Sequence, residues 1–83
     1  MQETKYREQI REMLYKMGFN TNIEDDDLFS DIGMDSIIFI RLIIEIESKF
    51  NIRYPDEYLS FKDSGSIEKI SVIVSSLISQ KRV

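Results

Sequence analysis

The chain contains no cysteine, no histidine and no tryptophan, with a single proline and three glycines in 83 residues. Without cysteine there is neither a disulfide framework nor a thiol nucleophile. Losing histidine as well removes the two commonest zinc ligands and the imidazole that most often serves as general base. Positive charge is also in short supply: 11 basic side chains stand against 15 acidic ones, for a net charge of −4. A surface of that sign repels phosphates, so nucleic acid is excluded as a partner. Long apolar runs are missing too. The greasiest segment, Ile37 to Ile46, spans ten residues and carries Arg41 and Glu45, where a membrane span needs about 20 apolar residues. No apolar stretch follows the polar opening Met1-Gln2-Glu3-Thr4-Lys5, so no secretory signal and no membrane partner are expected, and the expected location is the cytoplasm.

What is present is a globular composition, 42% hydrophobic, of a length that suits one small domain over residues 1–83. Tyr6, Ile10, Met13, Leu14 and Met17 recur at helical spacing, with charged residues between them and Gly18 where a C-terminal cap is expected. From Phe19 to Asp35 the periodicity stops, which predicts a long loop, with Leu28, Phe29 and Ile32 spaced to pin it to the core. Ser36, a favoured N-cap residue, opens a second pattern in which Phe39, Leu42, Ile43, Ile46 and Phe50 form a core stripe. The run Ile37-Ile38-Phe39-Ile40 is rich in β-formers, but strict alternation is missing and the segment is too long for a typical strand. Pro55-Asp56-Glu57 predicts the start of a helix of a turn or two. Ile67, Ile70, Ile73, Val74, Leu77 and Ile78 form a last stripe, N-capped by Ser64 or Ser66. The expected fold is all-α: a small bundle of three main helices plus one short helix, with a long loop between helices one and two.

Glu24, Asp25, Asp26, Asp27, Asp31 and Asp35 fall in a stretch, residues 24–35, that holds no base. Two readings are open for this loop: a solvated segment with helix-capping carboxylates, or a surface that attracts basic patches on partners. A calcium loop fails on spacing. Counted from Asp25, Ser30 stands where glycine is needed and Ser36 where a bidentate glutamate is needed; counted from Asp31, those places fall to Ser36 and Leu42. No metal site is expected. Ser36 is a poor catalytic nucleophile, because Gly33-Met34-Asp35-Ser36-Ile37 lacks the second glycine of a hydrolase elbow and no histidine can take the proton. No catalytic residue is assigned and an enzyme is not expected.

Gly33-Met34-Asp35-Ser36-Ile37 resembles the Gly-x-Asp-Ser-[Leu/Ile] run of the acyl and peptidyl carrier proteins. Leu28-Phe29-Ser30-Asp31-Ile32 resembles that family's approach to its serine. Glu47-Ser48-Lys49-Phe50-Asn51-Ile52 and Pro55-Asp56-Glu57 resemble the end of its second helix and the start of its third. The likeness runs along nearly the whole chain and implies a single carrier domain.

The resemblance implies that Ser36 carries a covalent 4'-phosphopantetheine arm holding acyl or aminoacyl thioesters. It implies that Asp35 helps to hold the magnesium of the modifying enzyme, and that Gly33 supplies a flexible turn. The partners implied are a phosphopantetheinyl transferase, an acyl- or aminoacyl-activating ligase, and condensing, modifying or releasing enzymes, bound weakly by a monomer. A plain N-cap role, worth about 1 kcal/mol, is the structural alternative for Ser36. Ile37, Ile40 and Ile44 form a second apolar stripe of the second helix, and with Met34 they are the expected docking residues; extra core is the alternative for Ile40 and Ile44. Fatty-acid carriers of this family usually bear acidic residues on the exposed face of that helix. Here Ile38 and Arg41 take those places and leave Glu45 and Glu47, which points to a specialised pathway such as nonribosomal peptide or polyketide-like assembly. Fatty-acid synthesis is the first alternative, and a small helical interaction module without a prosthetic group is the second.

Overall fold

The computed structural model describes residues 2–20 and 22–81. Their helices are α1 (Gln2–Lys16), α2 (Ser36–Phe50), the short α3 (Phe61–Ser64) and α4 (Ile67–Lys81), with 3-10 turns at Phe29–Ile32 and Asp56–Tyr58. The expected all-α bundle is the observed one, and no strand occurs among the described residues. The isoleucine-rich run folds as helix because its apolar period is 3.6, which buries Phe39, Leu42, Ile43 and Ile46 along one stripe.

The core forms where α1 packs on α4 and α2. Ile10 and Leu14 of α1, Leu42 and Ile46 of α2, and Ile67, Ile70 and Val74 of α4 are completely buried. Each such side chain stabilises the fold by about 1.5–3 kcal/mol relative to exposure. Two edge-to-face aromatic pairs tie the periphery to this core: Tyr6 with Phe50, ring centres 5.4 Å apart, and Phe39 with Phe61, 5.1 Å apart. The first helix closes on Gly18 as the sequence predicts, the N–H of Phe19 reaching Leu14 O and that of Gly18 reaching Tyr15 O.

The loop after α1 is stitched down at several points. Phe29, fully buried, donates its N–H to Gly65 O at 2.8 Å, and Glu68 donates its N–H to Asp25 O at 2.9 Å. Gly65 tolerates no side chain, since a Cβ there would lie 2.1 Å from Phe61 O. Of the residues expected to pin this loop, Phe29 and Ile32 pack on the core, joined by Ile23. Leu28 does not; it is 47% exposed, because it precedes the 3-10 turn and the turn directs Phe29 inward instead.

The segment after α2 also differs in detail from the sequence expectation. Pro55 starts only a 3-10 turn, and the α-helical turn begins later, at Phe61, where the Ser60 side chain accepts from Asp63 N. A serine N-cap outcompetes the proline start because it satisfies an orphan N–H, which proline does not do. At the next helix Ser66 is the cap, accepting from Lys69 N at 3.2 Å. Ser64 is instead buried and central to a small polar chain: its hydroxyl donates to Tyr58 O at 2.6 Å and lies 2.6 Å from Tyr54 Oη. A serine has one hydrogen to give and the carbonyl can only accept, so Tyr54 must donate to Ser64.

Burial, with smaller contributions from the nearby Asp63 and Tyr58 charges and opposed by the Ser64 hydroxyl, pushes the Tyr54 phenol up to about 12 from an ordinary value of about 10. The folded value exceeds the unfolded one, so the stability it contributes is complete below about pH 10 and is lost as pH rises through about 12. We expect Tyr54→Phe to cost about 1 kcal/mol at neutral pH and to lose less stability than wild type over that alkaline window, read from urea midpoints. An equal alkaline loss in both proteins would remove Tyr54 from the account.

Candidate functional site at the start of the second helix

The chain enters α2 through a sharp reversal. Gly33 adopts φ +85° after the 3-10 turn and donates its N–H to Phe29 O. Open space surrounds the position where its Cβ would be, so the backbone angle alone calls for glycine. Asp35 follows in an extended conformation and its Oδ1 accepts from Ile38 N at 2.9 Å, while its carbonyl accepts from Phe39 N at 2.9 Å. Asp35 is therefore the N-cap, which corrects the expectation that Ser36 is. Both residue types cap well, and the extended backbone at Asp35 decides between them.

Ser36 is left as the first helical residue, exposed to solvent. Its hydroxyl has no hydrogen-bond partner among the described residues, and neither have the N–H groups of Ser36 and Ile37. A nucleophilic oxygen, free donors and the positive end of a 15-residue helix thus converge at one exposed point. A phosphate ester on that oxygen meets favourable electrostatics. Gly33, Asp35 and Ser36 lie together at this helix start.

The apolar stripe divides. Ile37, Ile40 and Ile44 are 72%, 43% and 57% exposed, so core packing does not claim them. Met34 is only 4% exposed, and this corrects its assignment to the docking face. That assignment continued the helical period upstream of Ser36, but residue 34 lies before the cap. Its N–H binds Phe29 O at 3.1 Å and its side chain joins the core. Ile38, expected on the outer face, is half-buried against the core, whereas Arg41 is exposed.

The acidic loop is less available than its charge suggests. Asp25 pairs with Arg7 at 3.2 Å and with Arg11, and Asp27 Oδ2 accepts from Glu24 N at 2.8 Å. Of the loop's carboxylates only Asp35 caps a helix, while Asp25 and Asp27 are engaged within the fold by an ion pair and a loop N–H, an arrangement neither reading described. Glu24, Asp26 and Asp31 remain exposed and form no salt bridge among the described residues. No group of three or more carboxylates among the described residues is placed to hold a metal ion. On α2, Glu47 turns inward to accept from Tyr54 N at 2.8 Å. Sequence reading missed this arrangement of carboxylates; the one signal was the arginine pair Arg7 and Arg11, a helical turn apart and facing the loop.

Similarity to known proteins follows this geometry. Residues 8–71 match the family described as a phosphopantetheine attachment site. An acyl carrier protein of Chloroherpeton thalassium is 35% identical over 69 residues, covering 81% of this chain and 80% of that one. An aminoacyl carrier protein of Agrobacterium fabrum is 32% identical over 77 residues, 87% of this chain and 92% of that one. The crystal structure of an acyl carrier protein from Thermotoga maritima shares the fold, with a TM-score of 0.83 over 98% of this chain and 95% of that one at 24% identity. The family match over residues 8–71 and the similarity to these curated carriers make this a carrier with a covalent 4'-phosphopantetheine arm and not a catalytic domain, and the chain belongs to the family of acyl and peptidyl carrier proteins.

Proposed function

We propose that Ser36 bears the arm and that the protein presents acyl thioesters to a series of enzymes. The observation that carries this reading is the exposed Ser36 hydroxyl, unbonded at a helix start that Asp35 caps. In the loading step, catalysed by a separate phosphopantetheinyl transferase, Ser36 Oγ attacks the pyrophosphate of coenzyme A. An Oγ–P bond forms, the P–O bond to the adenosine 3',5'-bisphosphate leaving group breaks, and the hydroxyl proton passes to a base of the transferase. The bound arm supplies the thiol that this chain lacks. Ser36 and Ile37 N–H groups stabilise the phosphodiester charge, and Asp35, with Oδ1 engaged by Ile38 N, keeps Oδ2 to face the transferase's magnesium.

Ile37, Ile40 and Ile44 form the docking strip beside the tether; Met34 is not part of it. Tethering raises the concentration of the intermediate at each partner's site without tight binding, so a weakly binding monomer suits the task. An activating ligase loads the arm, and condensing, modifying or releasing enzymes unload it.

For the cargo, the acyl reading has more support than the specialised-assembly reading. The relative from Chloroherpeton thalassium and the fold match from Thermotoga maritima are both acyl carriers by name. The aminoacyl carrier of Agrobacterium fabrum supports an aminoacyl cargo as a second reading. Nonribosomal peptide or polyketide-like assembly rests on the scarcity of α2 carboxylates alone.

Intact-mass spectrometry after incubation with coenzyme A and a broad-specificity transferase is expected to show the arm on wild type and not on Ser36→Ala. An unmodified wild type, with the transferase active on a control carrier, would sink the assignment. Asp35→Asn separates two roles, since asparagine caps as well as aspartate but carries no charge for a metal. Its melting temperature is expected to match wild type while arm transfer slows at least tenfold; Asp35→Ala loses about 1 kcal/mol of stability as well. Transfer to Asp35→Asn at the wild-type rate would end the magnesium role. Loaded carrier is expected to accept fatty acyl groups from an acyl-activating ligase faster than amino acids from an aminoacyl-activating one, read by mass; the reverse order would favour the second reading.

A further inference from the structure

Besides the strip next to Ser36, α2 shares a concave surface with α1. Gln9, Met13 and Met17 from one side and Arg41, Ser48 and Lys49 from the other line a groove of about 370 Å³ that also holds Glu12, Lys16 and Glu45. A notch of about 160 Å³ formed by Met17, Arg41, Ile44 and Glu45 joins this groove to the exposed Ile44. The groove is therefore continuous with the docking strip and turns from it toward the other end of the bundle.

Its charge is opposite to that of the molecule. Lys16, Arg41 and Lys49 stand against Glu12 and Glu45, in a chain of net charge −4. All three cations are exposed and none forms a salt bridge among the described residues, whereas Arg7 and Arg11 are engaged by Asp25. Glu12 and Glu45 lie one turn from these cations along their own helices but form no salt bridge with them among the described residues, so the exposed groove carries one net positive charge. Between them the half-buried Met13 and Met17 provide an apolar floor, and methionine adapts readily to different partner surfaces. In the wall, Gln9 Oε1 is buried and has no hydrogen-bond partner among the described residues.

We propose that this groove takes an acidic amphipathic helix of a partner protein, its apolar ridge over Met13, Met17 and Ile44 and its carboxylates against Lys16, Arg41 and Lys49. The dimensions suit a helix. Gln9 to Met17 and Arg41 to Lys49 each span nine residues, whose eight steps cover about 12 Å at about 1.5 Å per residue, which accommodates about two turns of a third helix. Charged flanks on both sides of an apolar floor match the way an amphipathic helix presents a ridge bordered by polar positions, and Arg41 can bind a carboxylate bidentately. This inference rests on the docking reading of α2, with which it shares Ile44, and it names the partner chemistry: negative and apolar, although the carrier itself is acidic.

The test uses the full apo chain and two synthetic peptides of about 18 residues, long enough for marginal helicity. They carry the same leucine ridge, one flanked by glutamates and one by lysines. Fluorescence anisotropy at low salt is expected to show the glutamate peptide binding at least tenfold more tightly. Its NMR perturbations should map to the Met13 and Met17 methyls and to Ile44, and binding should weaken as salt is added. Arg41→Glu/Lys49→Glu is expected to reverse the order of the peptides. Preference for the lysine peptide, binding of neither, or perturbations centred on Asp26 and Asp31 would overturn the proposal. Sedimentation of the chain alone is run beside it, and a dimer whose interface covers Met13 and Met17 would overturn it in favour of a second copy. Mass measurement of arm attachment to the same samples keeps the two questions apart, since peptide preference does not require a modified Ser36.

Discussion

Two residues able to cap a helix meet at the start of α2, and only one side chain can take the N–H of Ile38. Asp35 takes it, at 2.9 Å, and the exposure of the Ser36 hydroxyl depends on that choice. Had the Ser36 oxygen accepted that bond, it would be turned toward the helix and held there at a cost of about 1 kcal/mol to release. With aspartate as the cap, the hydroxyl is the first side chain outside the ladder and faces solvent. The same carboxylate places negative charge where the helix dipole is positive. A phosphate on Ser36 then shares that field with a carboxylate, so the unpaired N–H groups of Ser36 and Ile37 matter as short-range donors and the dipole alone would not suffice.

The cap can hold this geometry because the loop before it is fixed from behind. Phe29 N–H to Gly65 O and Glu68 N–H to Asp25 O join the loop to the start of α4, and the completely buried Phe29 ring anchors the turn that Gly33 then reverses. Among these ties the backbone bond at Phe29 outweighs the ion pairs. The Asp25 and arginine side chains are 33% and 28% exposed, a setting in which salt bridges contribute little, about 0–1 kcal/mol. The ion pairs instead consume charge. By neutralising Asp25 against α1 they reduce the acidic field of the loop, and the carboxylates that remain exposed, Glu24, Asp26 and Asp31, are spread over both of its ends.

Sequence pattern made the long stripes legible because burial and period coincide there: Ile10 and Leu14, Leu42 and Ile46, Ile70 and Val74 are all core. The run Gly33-Met34-Asp35-Ser36 was legible only through its resemblance to the carrier family, since its residues alone read equally as a plain helix cap. The arm's place on Ser36 is a proposal. What was not legible is whatever depends on where a period ends. Met34 satisfies the helical spacing of Ile37 and Ile44 but precedes the cap, so the rule that assigned it a face did not apply. Ser36 against Asp35, and Pro55 against Ser60, are contests between two adequate start signals that only backbone geometry resolves. Glu47 reads as a surface charge until the chain folds back and brings Tyr54 N to it at 2.8 Å.

These positional details alter how the outer face of α2 should be understood. Of the two carboxylates that sequence leaves on the helix, Glu47 is consumed internally and Glu45 shares its surroundings with Arg41 and Lys49. A row of negative charge therefore does not exist there, and long-range steering by that face has no source. Apolar contact decays within a few ångströms and does not steer, so the strip of Ile37, Ile40 and Ile44 can hold a partner only after something else has oriented it. Charge is the longer-ranged force at physiological salt, reaching about 8 Å, and beside Ile44 the exposed Arg41 and Glu45 present both signs. In the proposed carrier role, orientation falls to the groove cations Lys16, Arg41 and Lys49, retention to the isoleucines, and covalent delivery to Ser36.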